Sequence, residues 1–146
     1  MRLPAARLHR VFAFGTMKAG FALHELGLAG IPRLAFVRTV RRFPMFVAGP
    51  WFAPMMLDEP GMGHHVRGEL YEVDDGRLAT IDGLESVGKP GNFRVVLGVE
   101  TLDGARSWQA FAYMKGKQLA TPLHTGYLET YEDRRFVPFD RRGYGG

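Results

Sequence analysis

Cysteine is absent from the 146 residues. That one absence excludes disulfides, a thiolate nucleophile and thiolate metal sites together. Serine is scarce as well. Ser86 and Ser107 stand alone, and neither sits in the G-x-S-x-G elbow of a hydrolase nucleophile. Long apolar runs are missing too. The longest uncharged stretch, residues 43–57, falls short of the ~20 residues that a spanning helix needs. Pro44, Pro50 and Pro54 interrupt it further, so no membrane partner is expected. Arg2, Arg7 and Arg10 break up the N-terminus, which does not read as a secretory signal. A chain without thiols suits a reducing compartment, and a cytoplasmic location is the expectation.

Charge of one sign is not concentrated anywhere. The net charge is +4 and the pI about 9.7, which raises the question of nucleic acid. The basic residues occur singly or in pairs, such as Arg41-Arg42, Arg134-Arg135 and Arg141-Arg142. Glu129, Glu132, Asp133 and Asp140 interrupt the basic tail, and no RNP-like or helix-turn-helix pattern accompanies it. These charges read as solvated surface, with no nucleic-acid partner. The histidines do not form a metal site either. His64-His65 would diverge on a strand, His24-Glu25 lacks the second histidine of a zincin motif, and His9 and His124 are isolated.

What is present is an ordinary globular composition, 46% hydrophobic and 23% charged, of single-domain length. Strands are expected over 10–14, 34–41, 45–48, 66–73, 93–101 and 107–114, from their β-branched and aromatic content. Asp103-Gly104 lies between the last two and signals a hairpin. Helices are expected over 21–28 and over 77–86, the second capped by Asp74 or Asp75. Residues 49–63 read as an irregular connection that packs on something and walls a pocket, with Trp51-Phe52 and Met55-Met56-Leu57 as core or pocket wall. A short helix is expected around 126–131, and a loosely ordered arm from about 132. The whole reads as one α+β domain, residues 1–146: a small, mixed β-barrel-like sheet with two main helices.

Two places invite chemistry. On the second helix, Leu78, Ile81 and Glu85 share one stripe at i, i+3 and i+7. A carboxylate that continues an apolar stripe either reaches water at the helix end or is buried. Burial would raise its pKa and suit it to proton exchange near neutral pH. The spacing admits both readings. In Phe14-Gly15-Thr16-Met17-Lys18-Ala19-Gly20, a strand end runs through a glycine-containing turn towards a helix. Such a turn can direct backbone N–H groups at an anion, or it is simply a tight turn. It is neither a Walker motif nor a dinucleotide fingerprint.

Taken in order, the segments resemble the γ-glutamylcyclotransferase-like, or AIG2-like, family. Val11-Phe12-Ala13-Phe14-Gly15-Thr16-Met17-Lys18-Ala19-Gly20 is similar to the family's Tyr-Gly-Thr-Leu-Lys-x-Gly signature. Val66-Arg67-Gly68-Glu69-Leu70-Tyr71-Glu72-Val73-Asp74 resembles its second recognisable strand, and Leu78 through Glu85-Ser86 its Leu-Asp-x-x-Glu segment. Phe43-Pro44-Met45-Phe46-Val47-Ala48-Gly49 and Pro60-Gly61-Met62-Gly63 look most like the γ-glutamylamine branch. The resemblance implies a barrel-like fold with a cavity at the end of the first strand. It implies that Phe14, Gly15, Thr16 and Met17 hold the glutamyl head through their backbone, that Glu85 is catalytic, and that Tyr113 lines the pocket. It further implies a small γ-glutamyl substrate, release of 5-oxoproline and a free amine, and no metal or organic cofactor. A different γ-glutamyl peptide or intermediate as substrate, or a binding module of the same fold without turnover, are the alternatives. Phe14 stands for the signature tyrosine, Met17 for leucine, and Leu23 where asparagine is common. Asn92-Phe93-Arg94 replaces the usual Tyr-x-Arg. These departures bear on the leaving group more than on the chemistry.

Overall fold

The computed structural model describes residues 7–143, so residues 1–6 and the last three of the C-terminal arm lie outside the described residues. The elements are β1 (His9–Ala13), α1 (His24–Leu28), β2 (Arg33–Thr39), β3 (Met45–Ala48), β4 (Ala53–Met56), β5 (Arg67–Val73), α2 (Asp75–Leu84), β6 (Asn92–Thr101) and β7 (Ser107–Lys115). Strands β1-β5-β2-β6-β7 close into a barrel. Antiparallel ladders join neighbours, and a parallel contact at Val11 and Phe111 seals β1 to β7. β3 and β4 form a separate two-stranded sheet. The expected α+β barrel-like sheet with two helices is the architecture found.

Strand alternation decides what faces the barrel interior. Phe12 and Phe14, Val66 and Leu70, Leu97 and Val99, and Ala110, Ala112 and Met114 form one buried cluster. The opposite faces of β1 and β5 are apolar too, because the helices cover them. Val11, Ala13, Tyr71 and Val73 pack with Leu28 of α1 and with Leu78 and Ile81 of α2. Leu28 and Ile81 are fully buried, and each such side chain contributes roughly 1.5–3 kcal/mol of transfer free energy. Gly68 permits the tight crossing of β1 over β5: a Cβ there would meet Ala13 O at 2.4 Å and the Phe12 ring at 2.7 Å. Asp74 is the N-cap of α2, its carboxylate accepting from Arg77 N–H at 2.8 Å.

Three local expectations are corrected. Residues 49–63 are not wholly irregular, since β4 pairs there with β3 from Met45–Met56 to Ala48–Ala53. Positive φ at Gly49 (82°) and Phe52 (55°) reverses the chain, and the two-stranded sheet leaves a position where Pro54 is tolerated. No helix forms at 126–131. That segment is irregular and bends, with Leu128 N–H donating to Met45 O at 2.7 Å and Glu129 O accepting from Arg67 N–H at 2.8 Å. α1 begins at His24 rather than at residue 21, because Leu23 N–H is drawn back to Thr16 O at 2.9 Å.

Beyond Tyr131 the chain lies along the barrel. Lys18 Nζ donates to Tyr131 O at 2.6 Å, Arg134 Nη1 to Gly20 O at 2.5 Å, and Val137 N–H to Trp51 O at 3.0 Å. No helix among the described residues is long and apolar enough to cross a membrane.

Candidate active site

A cavity of about 430 Å³ opens where β1 ends. Its walls come from the turn after β1, the C-terminus of α2, the paired ends of β6 and β7, the turn before β4 and the C-terminal arm. Phe14, Gly15, Thr16, Met17, Glu85 and Tyr113 all line it. Segments more than sixty residues apart in sequence are thus brought to one space by barrel closure.

The turn after β1 is held from behind. The carbonyls of Gly15, Thr16 and Met17 accept from Lys18 N–H (3.0 Å), Leu23 N–H (2.9 Å) and His24 Nδ1–H (2.9 Å). A trans peptide points the C=O of one residue opposite to the N–H of the next, so the held carbonyls of Gly15 and Thr16 turn the N–H groups of Thr16 and Met17 the other way. The N–H groups of Gly15, Thr16 and Met17 donate to no other described residue. They are therefore available to an anion in the cavity that these residues line. Gly15 is required by space rather than by φ, since a Cβ there would lie 2.7 Å from Pro54 Cγ.

Two buried or half-buried carboxylates serve this region in different ways. Glu69 of β5 is consumed by structure. Its Oε1 accepts from Ala19 N–H and from Tyr71 O–H, both at 2.8 Å, so it anchors the turn. Glu85 is the C-cap of α2, and its carboxylate accepts no hydrogen bond from the described residues. The chain turns away from the helix in a Schellman arrangement. Ser86 N–H donates to Gly83 O (3.1 Å) and Val87 N–H to Asp82 O (3.0 Å), with Ser86 at φ 59°. This fixes the direction of the Glu85 side chain, which is only 17% exposed. Burial pushes the carboxyl above the usual range, and Lys115 Nζ, 3.8 Å from Oε2, opposes part of that rise.

Tyr113 is placed differently. Its ring lines the cavity, but its hydroxyl donates to Asp82 Oδ1 at 2.7 Å. Asp82 is itself gripped by Arg94 Nη1 at 3.0 and 2.8 Å. Burial and this acceptor hold the phenol well above its ordinary value, so it stays protonated. Arg94 therefore belongs to the support of the wall.

The sequence reading missed Lys115, Asn92, Lys89, Phe136 and Arg142, which also line the cavity. Lys115 and Asn92 meet because β6 and β7 pair at Asn92 and Lys115, where Lys115 Nζ donates to Asn92 Oδ1 at 2.6 Å. Only the hairpin register, readable from Asp103-Gly104, could have suggested that contact. The histidines are dispersed: His65 Nδ1 donates to Thr39 O, and His124 stacks on Phe52. No group of three potential metal ligands occurs among the described residues.

Comparison with known proteins gives the same direction. The family model described as gamma-glutamyl cyclotransferase, AIG2-like, matches residues 11–133. A gamma-glutamylaminecyclotransferase of Bos taurus is 33% identical, covering 94% of this chain and 87% of its own length. That of Mus musculus is 35% identical, covering 90% and 98%. The crystal structure of an AIG2-like protein from Mus musculus superposes with a TM-score of 0.79 at 30% identity, over 92% of this chain and 99% of that one. With the match spanning both the turn after β1 and the end of α2, the chain belongs to the gamma-glutamyl cyclotransferase, AIG2-like family of enzymes.

Proposed function

We propose that this protein is a γ-glutamylamine cyclotransferase, releasing 5-oxoproline and a free amine from a small γ-glutamyl compound in the cytoplasm. One observation carries the reading. Glu85, a shielded carboxylate to which no described residue donates, lines the same cavity as Gly15, Thr16 and Met17, whose N–H groups donate to no described residue.

The substrate supplies its own nucleophile, which suits a chain without cysteine and with two serines. Its α-carboxylate rests on the N–H groups of the turn, and this grip folds the γ-carbonyl back towards the α-nitrogen. Holding the cyclising conformer is an orientation effect, worth several orders of magnitude in rate. Glu85 takes one proton from the α-ammonium. The freed amine attacks the γ-carbonyl carbon, a C–N bond forms, and a tetrahedral oxyanion results. Glu85 then returns its proton to the departing nitrogen as the old C–N bond breaks. The ammonium's second proton leaves with the product amine, which departs as an ammonium ion. Atoms and charge balance without any external reactant.

The test is 5-oxoproline release across a panel of γ-glutamyl amines and γ-glutamyl peptides, with Glu85→Gln run in parallel. The expected outcome is turnover of γ-glutamyl amines and a kcat lower by about 10²–10⁴ in the variant, with KM little changed. Undiminished activity in Glu85→Gln would remove the proton-shuttle role. Turnover of peptides alone would shift the substrate class.

A further inference from the structure

The β6–β7 hairpin clasps the end of α2 at two successive rungs. Asn92 pairs with Lys115 and Arg94 with Tyr113, so all four side chains project from one face of the ladder. Asp82 and Glu85 are three residues apart at the end of α2 and share one side of it. Each rung takes one of them. Lys115 Nζ, bonded to Asn92 Oδ1 at 2.6 Å, donates to Glu85 O at 3.3 Å. Arg94 Nη1 donates to both carboxylate oxygens of Asp82, at 3.0 and 2.8 Å, and Tyr113 O–H donates to Oδ1 at 2.7 Å.

Asp82 and Arg94 are not among the residues that line the cavity, so neither meets the substrate there. Both are half-buried, yet they connect the two halves of the site. On the helix side, the carbonyl of Asp82 accepts Val87 N–H at 3.0 Å, which closes the turn that sets the direction of the Glu85 side chain. On the barrel side, the Arg94 guanidinium lies 4.2 Å from the centroid of Phe111. Phe111 pairs with Val11 and seals β7 to β1, the strand that runs into Gly15, Thr16 and Met17.

We propose that Asp82 and Arg94 are positioning residues of the active site. Their ion pair docks the end of α2 on the hairpin and so fixes where the Glu85 carboxylate stands relative to the turn after β1. This rests on the proton-shuttle reading of Glu85 above. A displacement of about 1 Å at a reacting group lowers the rate by on the order of 10²-fold, so the docking matters to turnover and not only to stability.

A double-mutant cycle on 5-oxoproline release tests it, with Arg94→Gln made in the wild type and in Glu85→Gln. In the wild type, kcat should fall by about ten- to a hundredfold while KM stays within about threefold, because the turn that holds the glutamyl head is untouched. In Glu85→Gln no carboxylate is left to misplace, and the same change should lower the residual rate by less than about threefold. Arg94→Lys, which keeps a cationic donor for Asp82, should recover part of the loss. Should Arg94→Gln melt below the assay temperature, Asp82→Asn takes its place, since its amide oxygen still accepts from Tyr113 while the charge facing Arg94 is gone. Equal losses in both backgrounds, or a kcat that does not fall, overturns the proposal. Hydrogen exchange gives a readout without turnover: in Arg94→Gln the Ser86 and Val87 amides should exchange about tenfold faster or more, with those of β2 unchanged. Unchanged exchange at Ser86 and Val87 likewise overturns it. Faster exchange there, in a protein whose wild type releases no 5-oxoproline from any γ-glutamyl compound, would instead overturn the cyclotransferase reading and leave the docking role standing.

Discussion

Lys115 Nζ stands 3.8 Å from Glu85 Oε2 while donating to the Glu85 backbone carbonyl at 3.3 Å and to Asn92 Oδ1 at 2.6 Å. The lysine thus grips the residue proposed as the proton shuttle without closing a hydrogen bond on its carboxylate. Burial lowers the lysine below its usual 10.5 and raises the glutamate above 4.5, while each charge partly restores the other.

The pH dependence follows from these directions. In the proposed reaction, Glu85 below its raised pKa is protonated and cannot accept the α-ammonium proton, so the acid limb of kcat/KM should lie above pH 4.5. Lys115→Met removes a cation that favours ionisation, and the limb should move to higher pH. Lys115→Arg should move it back. A limb that stays put in Lys115→Met would mean that the lysine only positions the backbone.

Stability should show the same groups with opposite signs. The folded protein keeps the Glu85 proton over a window in which the unfolded chain has lost it. Stability is thus fully present below the unfolded value near 4.5 and declines as pH rises through the folded one. For Lys115, the unfolded chain holds the extra proton below 10.5, so stability rises with pH across that window. Glu85→Gln should flatten the decline above pH 4.5 in a series of urea denaturations. An unchanged slope would count against burial as the cause of the raised carboxyl.

Tyr113 separates wall from chemistry. Its hydroxyl proton is committed to Asp82, which keeps both bonds from Arg94 if the phenol is removed. Tyr113→Phe should cost about 1 kcal/mol of stability and leave kcat within about threefold of wild type. A hundredfold fall in kcat with a normal melt would give the hydroxyl a direct part in the reaction.

Local patterns made much of this legible. The alternation over 66–73 gives two faces, and both are buried as β5 because the barrel takes one and the helices the other. The stripe of Leu78 and Ile81 marks the face that α2 buries, and Glu85 follows it one residue past the helix end. What stayed hidden depends on distant partners. Glu69 looks like a solvent-facing residue of an alternating strand, yet it is buried because Ala19 N–H, fifty residues away, needs an acceptor. Lys115 reaches Glu85 across thirty residues. β4 was obscured by its own Pro54, and the irregular course of 126–131 by the carbonyl of Met45 that recruits it. Arg142 carries no sequence signal at all, since its place depends on the arm folding back to Trp51.

Gly15 tests the turn that presents the N–H groups. Gly15→Ala would place a Cβ 2.7 Å from Pro54 Cγ and 3.1 Å from Pro54 Cβ, so the turn or β4 must move. The expected cost is roughly 1–3 kcal/mol of stability, with kcat/KM lower by about ten-fold or more because the N–H groups are displaced. Pro54→Ala removes the Cγ that clashes, so the double variant should recover part of both losses. A strictly additive cycle would show that the two residues do not compete for the same space.

Ser86 occupies the position where the Schellman turn favours glycine, with φ at 59° immediately after Glu85. A left-handed conformation costs a side-chain-bearing residue about 1–2 kcal/mol, and glycine escapes that cost but loses about 0.5–1 kcal/mol more through the flexibility of its unfolded chain. Ser86→Gly should therefore gain about 0.5 kcal/mol in urea denaturation. Ser86 lines the cavity, and its hydroxyl makes no hydrogen bond to any described residue, so it takes no part in holding Glu85. Turnover should stay within about threefold of wild type. A stabilised variant with turnover lowered a hundredfold would show that the strained turn, and not only the carboxylate it carries, is set for catalysis.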